Sequence, residues 1–221
     1  MATTAKLLIA TGNKGKAREF ADMLAGSGVE CCDLSTVAGV TEPEETGDTF
    51  RANACLKASY YAAAAGCWAL ADDSGLEVDA IGRSPGVKSA RWAAMHNAGA
   101  GDQANNTLLL RQMEQVPDEQ RSARFVCVLA LADPKGRVVL TARDTIEGQL
   151  LRQPRGSNGF GYDPLFYVPS LDKTTAELSP AEKHAVSHRG KALRHLKQMI
   201  DEADVFGHQV GGEILQHSGN H

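Results

Sequence analysis

The stretch "ARFVCVLALADPKGRVVLTARDTIEG", residues 123–148, contains two long runs that are rich in β-branched and other apolar residues. The short segment Pro-Lys-Gly, residues 134–136, separates the two runs and is typical of a turn. Two such runs joined by so short a turn predict an antiparallel β-hairpin.

Strand patterns also lie on both sides of this hairpin. The segments are "KLLIA" (6–10), "VECCDL" (29–34), "CWALADDSG" (67–75) and "LFYVP" (165–169). The third is predicted to finish at its two aspartates, where a turn follows. The segment from Gly75 to Ala93 mixes short apolar pieces with Gly and Pro and predicts strand and loop.

Helix patterns alternate with these strands. Ala17, Phe20, Met23 and Leu24 recur at helical spacing. The alanine-rich segment 51–65 ends at Gly66, residues 102–116 have helical periodicity, and "SPAEKHAVSHRGKALRHLKQMI" (179–200) starts with a capping box. Strands alternating with helices, plus a long hairpin, predict an α/β fold with a mixed sheet.

The composition is that of a soluble globular protein. The chain has 221 residues, of which 43% are hydrophobic and 23% charged, enough for one domain or two joined lobes. We assign 1–205 to this domain and 206–221 to a C-terminal tail of weak periodicity and weak order. The formal charge of −4 disfavours nonspecific binding to nucleic acid, and no segment reaches membrane-spanning length. Five cysteines without a CxxC pair indicate a reducing compartment, so we expect a cytoplasmic protein.

A glycine turn follows the first predicted strand. It consists of Thr11, Gly12, Asn13, Lys14, Gly15 and Lys16. It is not a nucleotide-binding P-loop, because its glycines are too close together and Ala17, not a hydroxyl residue, follows Lys16. Backbone amides at a helix N-terminus and two lysines suit phosphate oxygens, but a plain strand–helix turn explains the segment equally well. If phosphate binds here, any metal ligands come from elsewhere in the chain.

Two acidic clusters supply candidate ligands. Glu44 and Glu45 precede the helix that contains Lys57, where acidic residues also serve as ordinary helix caps. Asp72 and Asp73 end an apolar strand, where two like charges are costly unless a cation or proton offsets them. Oxygen ligands from Glu45 and Asp73 suit Mg²⁺, and a carboxylate beside that ion can orient or deprotonate a water.

The fourth cluster is divided between "GSNGFGYDP" and "EKHAVSHRG". Phe160 and Tyr162, with Gly161 between them, suit a stacking surface, while a tight turn with core aromatics is the simpler explanation. Side chains suited to reading a base edge or supporting a ligand follow: Asp163, Lys183, His188 and Arg189. Taken singly, each of these residues is better explained by a structural role. Their occurrence together with the other three clusters favours a ligand-binding site.

Taken in their order along the chain, six segments resemble those of the inosine/xanthosine triphosphate pyrophosphatases. These enzymes remove deaminated purine nucleotides from the nucleotide pool. The resemblance extends from about Lys6 to about Ile200. It rests on "TGNKGKAREF", "EETGDTFRANACLKA", "ADDSGLEVDAIGRSPGVKSARWA", "RFVCVLAL", "GFGYDPLFYVP" and "TTAELSPAEKHAVSHRGKAL". It implies an α/β fold with a long mixed central β-sheet flanked by helices, two lobes with a cleft between them, and a homodimer.

The resemblance also implies roles for single residues. It puts phosphate binding on 11–16, magnesium on Glu44, Glu45 and Asp73, and water activation on Asp73. Lys16, Lys57 and Asp72 are expected to assist catalysis, and Ser74 to contact substrate. Base binding falls on Phe160, Gly161, Tyr162, Asp163, Lys183, His188 and Arg189. The expected reaction is hydrolysis of ITP, dITP, XTP or dXTP between the α and β phosphates, which gives monophosphate and pyrophosphate.

Alternatives remain open at this point. A related pyrophosphatase for dTTP, UTP or modified pyrimidine nucleotides would share the architecture, and a noncatalytic nucleotide sensor would share the pocket. A kinase or phosphotransferase is disfavoured by the absence of a true P-loop and of kinase motifs in the sequence.

Overall fold

The computed structural model describes residues 6–25, 29–37 and 39–206, and in this part of the chain eight strands form one sheet. The strands are β1 (Lys6–Ile9), β2 (Glu30–Asp33), β3 (Trp68–Val78), β4 (Ser84–Pro85), β5 (Ser122–Ala132), β6 (Val138–Leu150), β7 (Phe166–Val168) and β8 (Lys173–Thr174). The helices are α1 (Lys14–Leu24), α2 (Phe50–Ala65), α3 (Trp92–Met95), α4 (Asp102–Gln112), α5 (Pro180–Val186) and α6 (His188–Glu202).

The sheet is mixed, as the sequence predicts. Its order is β2-β1-β3-β5-β6-β7-β8, with β4 paired to β3. β1 runs parallel to β2 and β3, whereas the other pairings are antiparallel. The predicted hairpin is confirmed as β5 and β6, which pair from Ser122↔Gln149 to Ala132↔Val138.

Helices cover both faces of the sheet, so its central strands are buried on both sides. On one face, α2 packs Ala54 and Ala58 against Val126 and Val128 of β5. On the other, α1 and α6 pack against the intervening residues of β5, and Leu129 lies there with Phe20. This alternation follows from the two-residue period of a strand. It explains why β5 is an almost continuous apolar run.

The prediction that the third strand ends at its aspartates is wrong. β3 continues to Val78, because it pairs with β5 without interruption from Ala69 to Val78. Asp72 and Asp73 therefore lie in the middle of a strand and face opposite sides of the sheet. On the other edge of β3, the paired residues of β1 end at Ile9, opposite Leu70. The aspartates thus lie just beyond the carboxyl end of β1, a common ligand position in α/β sheets.

The predicted helix ends are confirmed by specific caps. Gly66 adopts a left-handed conformation at the end of α2, and its N–H bonds the Ala62 carbonyl. Ser179 and Glu182 form the capping box at the start of α5, and the Ser187 hydroxyl accepts a hydrogen bond from Gly190 N at the start of α6. The break between α5 and α6 leads directly into His188 and Arg189.

The predicted tail begins at Phe206, whose ring packs edge-on against Trp68 with centroids 5.2 Å apart. The rest of the tail, 207–221, lies outside the described residues. No helix in the described ranges has the length and apolar character needed to cross a bilayer.

Candidate active site

A cleft of about 270 Å³ opens beside the part of β3 that extends past β1. Its lining comes from the glycine turn, from the aromatic loop (residues 160–163) and from the α5–α6 junction, and Gly15 of the turn packs against Phe160. Most predicted site residues line it: Thr11, Gly12, Asn13, Lys16, Glu45, Lys57, Asp73, Ser74, Phe160, Gly161, Tyr162, Asp163, Lys183, His188 and Arg189. The fold therefore brings the four sequence clusters together.

Four predicted residues do not line the cleft. Lys14 and Glu44 are exposed on the surface. Asp72 is fully buried behind Lys16, and Gly15 packs behind the ring of Phe160. Of the two adjacent glutamates, Glu45 is therefore the one that faces the cleft.

The glycine turn is held by its own side chains. Thr11 Oγ1 accepts a hydrogen bond from Asn13 N at 3.2 Å, and Asn13 Oδ1 accepts one from Lys16 N at 3.1 Å. Asn13 is thus the N-cap of α1, and the helix starts at the cleft wall. A helix N-terminus favours an anion there.

Asp72 is the buried counter-ion of the cations around it. Its Oδ2 lies 2.9 Å from Lys16 Nζ and accepts a hydrogen bond from Ser74 Oγ at 2.9 Å. Arg189 approaches the same oxygen at 3.9 Å. Burial alone raises the pKa of Asp72, but Lys16, Arg189 and Lys57 outweigh burial and hold that pKa well below its ordinary range. Asp72 therefore stays ionised and holds Lys16 and Arg189 in place.

Asp73 has a different environment on the opposite face of β3. Its Oδ2 accepts a hydrogen bond from Asn53 Nδ2 at 3.1 Å, and its Oδ1 lies 3.6 Å from Lys57 Nζ. Burial raises the pKa of Asp73 to about 6, assisted by the nearby charge of Glu45 and opposed by Lys57 and Lys16. A carboxylate that titrates near neutral pH is suited to general-base work. Asn53 was missed in the sequence because a helical Asn gives no periodic signal.

Glu45 shares Lys57 with Asp73. Its two carboxylate oxygens contact Lys57 Nζ at 2.6 Å and Arg91 Nη1 at 3.0 Å. Burial raises the pKa of Glu45, but Lys57 and Arg91 reverse this effect and lower it below the ordinary value. Arg91 was not predicted, although it lies in the quoted segment "SARWA", and Glu42 also lines the cleft unpredicted.

The donor set around Lys57 suits Mg²⁺. Glu45 and Asp73 present hard carboxylate oxygens to one ammonium group. Within the described ranges, no three His, Cys, Asp or Glu side chains are placed to hold an ion without further ligands. Mg²⁺ commonly takes only one or two carboxylates and completes its shell with waters and substrate phosphates. The residues present fit that mode of binding.

Glu19 of α1 joins the two cations at the other end of the cleft. Its Oε1 lies 2.8 Å from Lys183 Nζ, and its Oε2 pairs with Arg189 Nη1. Arg189 Nη2 also donates to Ser74 Oγ at 2.9 Å. Glu19 was not predicted, although it lies one helical turn after Lys16, on the same side of α1.

Phe160 forms the aromatic wall of the cleft. Lys183 Nζ lies 4.9 Å and the Arg189 guanidinium carbon 5.6 Å from its ring centroid. Behind the ring, a Cβ on Gly15 would lie only 2.6 Å from a ring carbon. Glycine is therefore required there for the helix to approach the ring. Tyr162, by contrast, is buried and donates its hydroxyl to the Ser89 carbonyl at 2.9 Å.

Asp163 and His188 are both buried, but Asp163 accepts several hydrogen bonds, whereas one ring nitrogen of His188 has no partner among the described residues. Asp163 accepts from Phe160 N at 2.9 Å, from Lys183 Nζ at 2.7 Å and from the hydroxyl of Thr175 at 2.8 Å. Its carboxylate thus holds the aromatic loop. His188 stacks on Phe125, and no described residue bonds its Nδ1.

Burial and neighbouring cations hold the pKa of His188 well below its ordinary value, so the ring is neutral. His188 thus lines the cleft as a neutral imidazole, and its Nδ1 is buried without a hydrogen-bond partner among the described residues.

Comparison with known families gives a match over almost the whole described chain. The sequence model of the Ham1 family matches residues 7–199. A dITP/XTP pyrophosphatase of Desulforamulus reducens is 48% identical over 204 residues, which are 92% of this chain and 98% of that protein. One from an Exiguobacterium species is 53% identical over 195 residues, which are 88% of this chain and 96% of the relative.

Solved structures show the same fold. A HAM1 protein from Coxiella burnetii superposes with a TM-score of 0.80 at 40% identity, covering 90% of this chain and all of that one. A nucleoside-triphosphatase, or dITP/XTP pyrophosphatase, from Mycobacterium abscessus has a TM-score of 0.68 at 44% identity, covering 86% of this chain and 97% of that one. The mixed sheet flanked by helices is common to these proteins.

Proposed function

Because this chain belongs to the Ham1 family, we propose that it hydrolyses the triphosphate of deaminated purine nucleotides, such as dITP, ITP, XTP and dXTP, to monophosphate and pyrophosphate. Several relatives that match almost their whole length are named dITP/XTP pyrophosphatase. The biological consequence is removal of these nucleotides from the pool. We place the protein in the cytoplasm, in keeping with its five free cysteines.

One observation carries this proposal: a single cleft has cations and carboxylates at one end and an aromatic wall with buried polar groups at the other. The first end, with Lys16, Lys57 and the start of α1, suits a chain of phosphates. The second, with Phe160 beside Lys183 and Arg189, suits a stacked, electron-rich base. A nucleoside triphosphate is a ligand that needs both.

In the reaction, the chain's own cations neutralise the charge that develops on the departing pyrophosphate. Lys16 and Lys57 are held beside the cleft by Asp72 and Glu45, so they need no reorganisation during the step. Asp73, with its pKa of about 6, accepts a proton from the attacking water. Mg²⁺, held by Glu45 and Asp73, would supply further charge neutralisation and orient the phosphates. Asn53 fixes the Asp73 carboxylate through its amide.

Preference for a 6-oxo purine follows from hydrogen-bond matching. Arg189 only donates, and neutral His188 has one N–H to donate beside one acceptor nitrogen, so this wall can present donors to a carbonyl oxygen. The amino group of adenine would place a donor against donors, which leaves buried groups unpaired at about 1–3 kcal/mol each. Adenine nucleotides are therefore rejected more strongly than size alone would allow.

The test is a panel of nucleoside triphosphates with Mg²⁺, with pyrophosphate release followed for dITP, XTP, dTTP, UTP and ATP. We expect dITP and XTP to be hydrolysed at least about a hundredfold more efficiently than ATP, which corresponds to about 3 kcal/mol. Faster turnover of dTTP or UTP would favour a pyrimidine nucleotide pyrophosphatase. Binding without pyrophosphate release in the wild type would indicate a nucleotide sensor.

Two variants separate catalysis from binding in this panel. Asp73→Asn keeps the shape of the side chain but removes its basicity, so ITP binding should persist while turnover falls by about two to four orders of magnitude. Asp22→Asn, at an exposed acid of α1 outside the predicted site, is the matched control and should behave like the wild type. We also propose that the protein is a homodimer. This proposal rests on the resemblance alone, and light scattering after size-exclusion chromatography tests it.

A further inference from the structure

Two side chains of α4 bracket one residue of the aromatic loop. Asp102 Oδ2 accepts a hydrogen bond from Gly161 N at 2.6 Å. Asn106 Nδ2 donates to Gly161 O at 2.9 Å. Because residues four apart lie on the same side of a helix, one side of α4 satisfies both backbone groups of Gly161. We call this arrangement the Gly161 clamp.

The clamp is built on a fixed support. Asn105, which is buried, accepts from Ala93 N at 2.8 Å and donates to the Ala90 carbonyl at 3.1 Å. These bonds tie α4 to the segment that contains Ser89, whose carbonyl accepts the Tyr162 hydroxyl. The aromatic loop is therefore held from both sides of Gly161 by one connected unit.

The residue types indicate a positioning role. Asn is a poor helix former, and Asn106 Oδ1 is buried without a hydrogen-bond partner among the described residues. Both features cost stability, and the Nδ2 contact to Gly161 is what this side chain gains in return. Local features that oppose stability in this way are typical of functional positions.

We infer that Asp102 and Asn106 are positioning residues that set the place of the Phe160 ring, and thereby the affinity for the base of the nucleotide. This inference rests on the proposed function. Gly161 has a left-handed φ of 63° and follows Phe160 directly, so its two peptide groups determine where that ring lies. The clamp's own hydrogen bonds are to Gly161 and not to the glycine turn, so we expect it to affect binding of the base much more than binding of phosphates alone.

The experiment compares a ligand that has a base with one that has none. KM and kcat are measured for ITP, with IMP followed by chromatography, and inorganic tripolyphosphate is titrated as a competitive inhibitor. The variants are Asp102→Ala, Asp102→Asn and Asn106→Ala. Gln103→Ala, at an exposed site on the same helix, is the matched control. Thermal unfolding checks that each variant is folded.

We expect Asp102→Ala and Asn106→Ala each to raise KM for ITP about tenfold, the worth of one charge-assisted or buried hydrogen bond. The inhibition constant of tripolyphosphate should stay within about twofold of the wild type. Asp102→Asn keeps an acceptor oxygen for Gly161 N–H, so its KM should be at least about threefold below that of Asp102→Ala. Gln103→Ala should match the wild type.

Two results would overturn the inference. One is an unchanged KM for ITP in folded Asp102→Ala and Asn106→Ala. The other is an equal loss for ITP and tripolyphosphate, which would show a general disturbance of the cleft. Failure of the proposed function looks different, because the wild type itself would then release no pyrophosphate from ITP.

Discussion

Removal of the Glu19 carboxylate should destabilise the protein strongly, although Glu19, which lies in the segment "TGNKGKAREF", was not predicted as a site residue. The carboxylate pairs with Lys183 and with Arg189, and the side chains of the three residues are only 12%, 8% and 2% exposed. In Glu19→Ala, Lys183 retains Asp163 at 2.7 Å. Among its hydrogen-bond and ion-pair partners in the described ranges, Arg189 retains Ser74 at 2.9 Å and the more distant Asp72.

The magnitude follows from the partners that remain. Breaking a buried pair by removing one partner costs about 3–5 kcal/mol, because the other charge stays buried and uncompensated. Since both cations keep other partners, we expect the lower value, about 3 kcal/mol. For a protein of this size, that lowers Tm by roughly 6–12 °C. Glu19→Gln keeps one acceptor oxygen but turns a donor NH2 toward the other cation, so it should lose nearly as much as Glu19→Ala.

The pH dependence gives this prediction a second readout. Burial raises the pKa of Glu19, but Arg189 and Lys183 outweigh it and lower the pKa below 4.5. A lowered folded-state pKa gives stability that is complete above the unfolded value and is lost as pH falls through the folded value. The gap between wild type and Glu19→Gln should therefore be largest near pH 7 and shrink below about pH 4.

Urea unfolding followed by circular dichroism at pH 7 and at pH 3.5 measures both effects. Asp22→Ala, at an exposed acid on the same helix, is the control and should unfold like the wild type. A loss below about 1 kcal/mol for Glu19→Ala, or an equal loss for the control, would refute the reasoning from buried charge.

Three further outcomes follow from the geometry. Gly15→Ala forces the Phe160 ring to move, since the new Cβ would lie 2.6 Å from it, so KM for ITP should rise; an unchanged KM contradicts this. Tyr162→Phe removes the hydrogen bond to the Ser89 carbonyl and should cost about 1 kcal/mol in urea unfolding; a neutral effect would contradict a stabilising role of this bond. In EDTA at pH 8, Asp73→Asn should be more stable than the wild type by roughly 3 kcal/mol. The folded-state pKa of Asp73 is raised to about 6, so the wild type loses stability as pH rises from about 4 to 6 and this carboxyl ionises, whereas the Asn side chain stays neutral. Thermal unfolding against pH measures this difference, and equal curves would contradict the raised pKa.

The elements could be predicted well from the sequence because their signals are local. The β5–β6 hairpin, the Gly66 cap of α2 and the Ser179 capping box were all evident from residue type and spacing. The end of β3 was predicted wrongly, because two adjacent aspartates are typical of a turn. Their charges are tolerated inside the strand because cations from α1, α2 and α6 neutralise them.

The sequence predicted most of the residues that line the cleft, but not the residues that hold them in place. Many residues of the quoted motifs were predicted, but Glu19, Asn53 and Arg91, which lie in the same motifs, were not, since their importance depends on partners far away in sequence. Glu19 and Arg189 are 170 positions apart, and no spacing rule joins them. The physical reason is that ion pairs between distant elements form only through the tertiary fold, and a single sequence carries no periodic trace of them.

The most direct test of the proposed reaction is hydrolysis of ITP with Mg²⁺ in ¹⁸O-labelled water, with both products analysed by mass spectrometry. If water attacks the α phosphorus and pyrophosphate departs, IMP will carry one ¹⁸O atom and pyrophosphate none. Label in pyrophosphate, or release of orthophosphate in its place, would contradict the account.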